Sequence, residues 1–113
     1  MYLNFDDCYW HDSILQNIFI DRSNPGESDT VEMTIDWYDE PASKIVFKNV
    51  VLFKATLNFG IYVKETILQA WIATDDPDLK KGQRLNCYMI ETNSTGGIIK
   101  IIAESVEKVA LIQ

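Results

Sequence analysis

A chain of 113 residues holds one hydrophobic core and is too short for two, and a hydrophobic share of 47%, with five Phe, five Tyr and three Trp, excludes a disordered chain. Seventeen acidic against ten basic side chains leave a formal charge of −7, a field that repels phosphate backbones and argues against nucleic acid, while attracting a basic protein surface. Two cysteines, Cys8 and Cys87, with no CxxC pair, indicate neither a zinc ribbon nor a disulfide scaffold.

The chain opens with "MYLNFDDCYWHDSIL". Its first residues lack a cationic start, a long apolar region and a small-residue cleavage site, so no secretion signal is expected and the location is predicted to be cytoplasmic. No apolar run is long enough to cross a bilayer, and no membrane association is expected. Ile14 to Asp21 is rich in branched and aromatic residues and predicts a strand, ended by the Pro-Gly turn cluster "DRSNPGESD". In "DTVEMTIDWY", Val31, Met33, Ile35 and Trp37 alternate with Thr30, Glu32, Thr34 and Asp36, the period of a strand with one wet face.

Between Lys44 and Phe59 the odd positions Ile45, Phe47, Val51, Phe53, Ala55, Leu57 and Phe59 are apolar, and Asn49 interrupts the pattern. Fully extended, such a run would reach about 53 Å at roughly 3.3 Å per residue, too far for a small domain, so a bend or bulge is predicted near Lys48 and Asn49. Thr66 to Ala73, containing Trp71, predicts the next strand, followed by the charged loop "TDDPDLKKGQ". Leu85 to Glu91 and Ile98 to Ala103 are expected to pair as a hairpin across "TNSTGG". Asn93 to Thr95 matches a glycosylation acceptor and reads equally well as turn chemistry. The tail "ESVEKVALI" carries both a helical face and a strand-like end, and is read as a last strand.

Strands separated by turn signals, without regular alternation with long helices, predict antiparallel pairing. The expected fold is mainly β: a twisted antiparallel sheet of six or seven strands forming a roll or sandwich, with room for one short helix, in a single domain over residues 1–113.

Chemistry is sparse. His11 and Asp12 are adjacent, so on a strand their side chains would point to opposite faces, and only a turn would bring them together. Cys8 and His11 have the spacing of two metal ligands in a loop, but a zinc site needs a third or fourth from elsewhere. A lone His ahead of a strand is more often structural, its ring nitrogens bonded to backbone or to the neighbouring Asp. Three acidic groups stand out: Asp6, Asp7 and Asp12; Asp36, Asp39 and Glu40; and Asp75, Asp76 and Asp78. The third fails the calcium-loop template, since counting from Asp76 the sixth position is Lys81 and the twelfth Cys87, and is read as solvated loop acids. No GxSxG, P-loop, GxGxxG or HExxH occurs, so no catalytic residue, metal or cofactor is assigned. Among the aromatics Tyr9, Trp10, Trp37, Tyr38, Tyr62 and Trp71, Trp37 is expected in the core, and Tyr38, on the opposite face, at an interface.

The segment "YWHDSIL", followed by a strand, an alternating second strand and "KATLNFG", resembles small bacterial domains that begin with an aromatic-His-Asp signature, some of which look like immunity proteins of polymorphic toxin systems. The resemblance rests on Trp10, His11 and Asp12 and on the strand order, and implies a compact domain that binds a cognate toxin without a cofactor. Three functional readings follow. The first is a non-enzymatic interaction domain binding a basic partner through His11, Asp12, Trp10, Asp36, Tyr38, Asp39 and Glu40. The second is a metal-assisted or thiol-dependent enzyme around Cys8, His11 and Asp12. The third is a small-ligand-binding β domain, resting on aromatic content.

Overall fold

The computed structural model describes residues 4–80 and 82–111. Lys81 and Ile112, which fall in two of the segments read above, lie outside them. Six strands form a single antiparallel sheet: β1 Ile14–Asp21, β2 Thr30–Asp36, β3 Ser43–Thr56, β4 Glu65–Ala73, β5 Asn86–Thr92 and β6 Ile98–Ala110. The sheet closes on itself in the order β1-β2-β3-β6-β5-β4, so it curls into a barrel instead of splitting into two stacked layers. Two hairpin-linked triplets, β1 to β3 and β4 to β6, meet along the β3–β6 ladder, and the segment 57–64 crosses from one triplet to the other.

The alternating β2 behaves as its pattern predicts: Val31, Met33 and Ile35 are buried, facing Phe47 and Ile45 of β3. Three register shifts set the curvature: in β1 against β2 between Leu15 and Asn17, in β3 against β6 between Val50 and Leu52, and in β4 against β5 between Ile67 and Gln69. Asn49 sits at φ 55°, a left-handed conformation that asparagine tolerates better than most side chains. This is the bend expected near Lys48, and it breaks the simple odd-even rule beyond it. Val51 and Phe59, which continue the apolar rhythm in sequence, are exposed, while Val50 packs on the core.

The tail differs from expectation in one respect. Among the described residues it adds no seventh strand; β6 runs unbroken from Ile98 to Ala110, its second half pairing with Ser43 to Lys48. The short helix amounts to one 3₁₀ turn, Phe5–Asp7. That turn carries Phe5 into one end of the barrel, where its ring centroid lies 4.7 Å from Trp10, 5.0 Å from Tyr88 and 6.3 Å from Phe47. Trp10 in turn meets Trp37 edge-on at 4.9 Å. Both buried indoles are satisfied, Trp10 Nε1 donating to the Phe5 carbonyl and Trp37 Nε1 to Ser43 Oγ, each at 2.8 Å. A six-stranded barrel has an interior that side chains must fill, and here an aromatic plug from outside the sheet completes it.

Phe5 is 1% exposed although it belongs to no strand. Truncating it leaves a cavity among three rings, and Phe5→Ala is expected to lower unfolding free energy by about 3–5 kcal/mol in a urea titration, with an unchanged m-value.

Candidate functional site

The opening signature lies on the turn that joins the aromatic plug to β1. Asp12 adopts φ 66°, and its amide donates to the Ile67 carbonyl at 2.9 Å. Ser13, wholly buried, is the hub: its amide donates to Trp10 O, its carbonyl accepts from Ile67 N at 2.7 Å, its hydroxyl donates to Tyr9 O at 2.7 Å, and that same oxygen accepts from Tyr38 N at 3.0 Å. His11 Nδ1 lies 2.9 Å from the Leu68 carbonyl. A carbonyl only accepts, so the proton sits on Nδ1. Trp10 to Ser13 therefore staple the start of β1 to β4.

The turn brings His11 and Asp12 onto one side, which a strand would have forbidden, with Nε2 3.6 Å from Asp12 Oδ1. Both side chains are about half exposed. Cys8 does not pair with His11; its thiol points to Asn4 O at 3.7 Å, and burial raises its pKa, a shift that Lys108 opposes and Asp7 and Asp39 reinforce. A thiol so placed is poorly ionised near neutrality. Among the described residues, no group of three or more His, Cys, Asp and Glu comes together to hold a metal ion.

Beside this turn the chain builds an acidic rim. Because Ser13 ties the backbones of Tyr9 and Tyr38 together, their rings stack at 5.4 Å and 20°, 47% and 66% exposed respectively. A shallow hollow of about 270 Å³ next to them is lined by Asp7, Cys8, Tyr9, Asp39, Glu40 and Lys108. Lys108 binds Glu40 and lies 5.0 Å over the Trp37 ring. Asp7 accepts from Asn4 Nδ2 at 2.7 Å, and among the described residues no cation pairs with Asp7 or Asp39. Of the residues marked in sequence, Tyr38, Asp39 and Glu40 thus gather with Asp7 and Tyr9. Trp10 is buried beneath them, and Asp36 lies apart, half-buried in a cleft with Lys64 and Glu65.

Of the third acidic group, Asp75 is the exposed loop acid expected, whereas Asp76 and Asp78 are engaged by lysines. Asp76 and Asp78 both bind Lys100, at 2.8 and 3.0 Å, and Asp78 also binds Lys54 at 3.1 Å, fastening the β4–β5 loop to the outside of β6 and β3. Hydrogen bonds to Lys100 hold both carboxyls below their ordinary 3.8, and the same bonds raise the Lys100 pKa. Ser13 and Lys100 carried no signal in sequence, since Tyr38 stands 25 residues from Ser13, and Asp76 and Asp78 stand 24 and 22 residues from Lys100, and only folding brings them together. No family model matches this chain, and no curated protein or solved structure matches it either.

Two outcomes are expected. Ser13→Ala removes the buried hydroxyl that bonds the Tyr9 carbonyl and the part-buried Tyr38 amide, and should cost about 1–3 kcal/mol in chemical denaturation, with loss of the tyrosine stack seen in near-ultraviolet circular dichroism. The carboxylates at 76 and 78 contribute stability that is complete above about pH 4 and is lost as pH falls through their lowered folded values; the Lys100 contribution is complete below 10.5 and is lost only above it. Lys100→Met should therefore lower the melting temperature at pH 7, and its deficit should shrink below about pH 3.8 as the parent loses the same interaction.

Proposed function

We propose that this chain is a non-enzymatic, cytoplasmic protein-interaction domain of the immunity type, whose acidic rim docks on a basic partner protein. The observation that carries this reading is the exposed Tyr9–Tyr38 stack beside Asp7 and Asp39. Rigid aromatic rings give large contact area at low entropic cost and are enriched among residues that dominate binding energy. Uncompensated carboxylates around them steer a cationic surface into encounter. The net charge of −7 disfavours nucleic acid as the occupant. The signature Trp10-His11-Asp12 supports the immunity-type assignment by resemblance, while in this fold its physical role is to build the turn that presents the rim. Against the enzymatic alternative stand the elevated Cys8 thiol and the engagement of His11 Nδ1 with backbone.

Pull-down from the native host with the tagged chain tests this reading. A single stoichiometric partner of basic pI is expected at low salt and should be released at high salt. Tyr38→Ala should weaken its binding by at least about 2 kcal/mol, roughly thirtyfold, and Asp39→Lys should slow association, whereas a control change at Val51 should do neither. Binding indifferent to both rim variants, or a partner that is acidic, would refute it.

A further inference from the structure

The barrel is closed by very little. β1 pairs with β4 at only two positions, Ile14 with Thr66 and Leu15 with Glu65, after which the crossing segment leaves the sheet. From Asn17 to Asp21, β1 pairs with β2 on one side, and among the described residues no strand covers the other. Along these five residues of extended backbone, alternate amide and carbonyl groups thus point outward, and such an edge is complementary to one thing, another extended strand.

Proteins that leave an edge open normally blunt it with Lys, Pro or an inward charge. This one does not: Ile14 to Ile20 reads Ile-Leu-Gln-Asn-Ile-Phe-Ile, seven residues without charge or proline. Phe19 is 58% exposed and Ile20 50%. Which occupant fits follows from charge. A basic strand finds its uncompensated counter-charges on the rim by Tyr38, at the other end of β1; within residues 17–21 of β1 the one acid is Asp21, whose carboxylate already accepts from the Ser23 amide and hydroxyl, and Glu32 stands opposite Phe19 on the paired strand β2. The edge is instead complementary to itself. Antiparallel pairing centred on Phe19 sets Phe19 against Phe19 of a second copy, Ile18 against Ile20, and Asn17 against Asp21, so no acid opposes an acid and an aromatic pair forms across the axis.

We infer that β1 is a self-association edge, through which two copies of this chain join their barrels into one continuous antiparallel sheet about a two-fold axis at Phe19. This is independent of the partner reading and leaves the acidic rim of each copy uncovered. Salt separates the two as well. Docking on a basic protein weakens as salt rises, whereas two chains each of charge −7 repel, so self-association strengthens.

Sedimentation velocity on the intact chain, from micromolar to near-millimolar concentration and at two salt levels, tests the inference together with hydrogen exchange at both ends of that range. A monomer–dimer equilibrium favoured by salt is expected, with exchange slowing on concentration in residues 17–21 and not in β5. Phe19→Lys, which opposes two ammonium groups at an already exposed position, should raise the dimer dissociation constant at least about tenfold with an unchanged far-ultraviolet spectrum, and Ile98→Lys at an exposed position of β6, three strands away round the barrel, should leave it unaltered. A chain that stays monomeric throughout, a dimer that survives Phe19→Lys, or one that forms without slower exchange in β1 would each overturn it.

Discussion

The hydrogen bonds gathered at Ser13 are what the rest of the structure hangs on. A curled sheet needs its first and last strands joined, and here the direct ladder between β1 and β4 is two residues long. The turn Trp10 to Ser13 extends it, through the Asp12 amide on Ile67, the Ile67 amide on Ser13 and the His11 ring on Leu68. All of these lie ahead of the strand, where the chain would otherwise have left the sheet. Backbone groups that would be buried without partners are thereby paired, and no buried side-chain polar atom among the described residues lacks a hydrogen bond.

Closure at that point fixes two further properties. It holds the N-terminal segment across one end of the barrel, so that Phe5 enters the interior and completes a cluster with Trp10, Phe47 and Tyr88. It also ties the backbones of Tyr9 and Tyr38, which turns two tyrosines distant in sequence into one stacked, exposed surface. The same serine thus supports the core on its inner side and the candidate docking rim on its outer side. A single buried hydroxyl that both donates and accepts can do this because its two partners lie on different loops.

Charge is distributed with a corresponding asymmetry. On the flank of the barrel the acids are spent on structure: Asp76 and Asp78 hold Lys100 and Lys54, Asp29 holds Arg22, and Glu107 holds Lys48. At the plugged end Lys108 answers Glu40, and Asp7 and Asp39 remain without a cationic partner among the described residues. Acidic groups that look alike in sequence therefore differ in what they face on the surface. The edge of β1 from Asn17 to Ile20 adds a third character, uncharged and, among the described residues, not covered by another strand.

Much of this was legible in the residues themselves. Local alternation in β2, the turn chemistry at "NPG" and "NSTGG", and the over-long β3 with its interrupting Asn49 each depend on neighbours in sequence, so strand content, antiparallel pairing and the bend could be read directly. Whether the sheet would stack or close, whether the tail would add a strand or lengthen one, and which apolar residues beyond the bulge would face inward were settled by long-range register, which no local rhythm encodes. The site divides in the same way. The exposure of Tyr38 and the bonding of the His11 ring to backbone followed from residue type and position, whereas the pairing of Tyr38 with Tyr9, the hub at Ser13 and the clasp of Asp76 and Asp78 on Lys100 exist only because the closed barrel brings together groups that the chain itself keeps far apart.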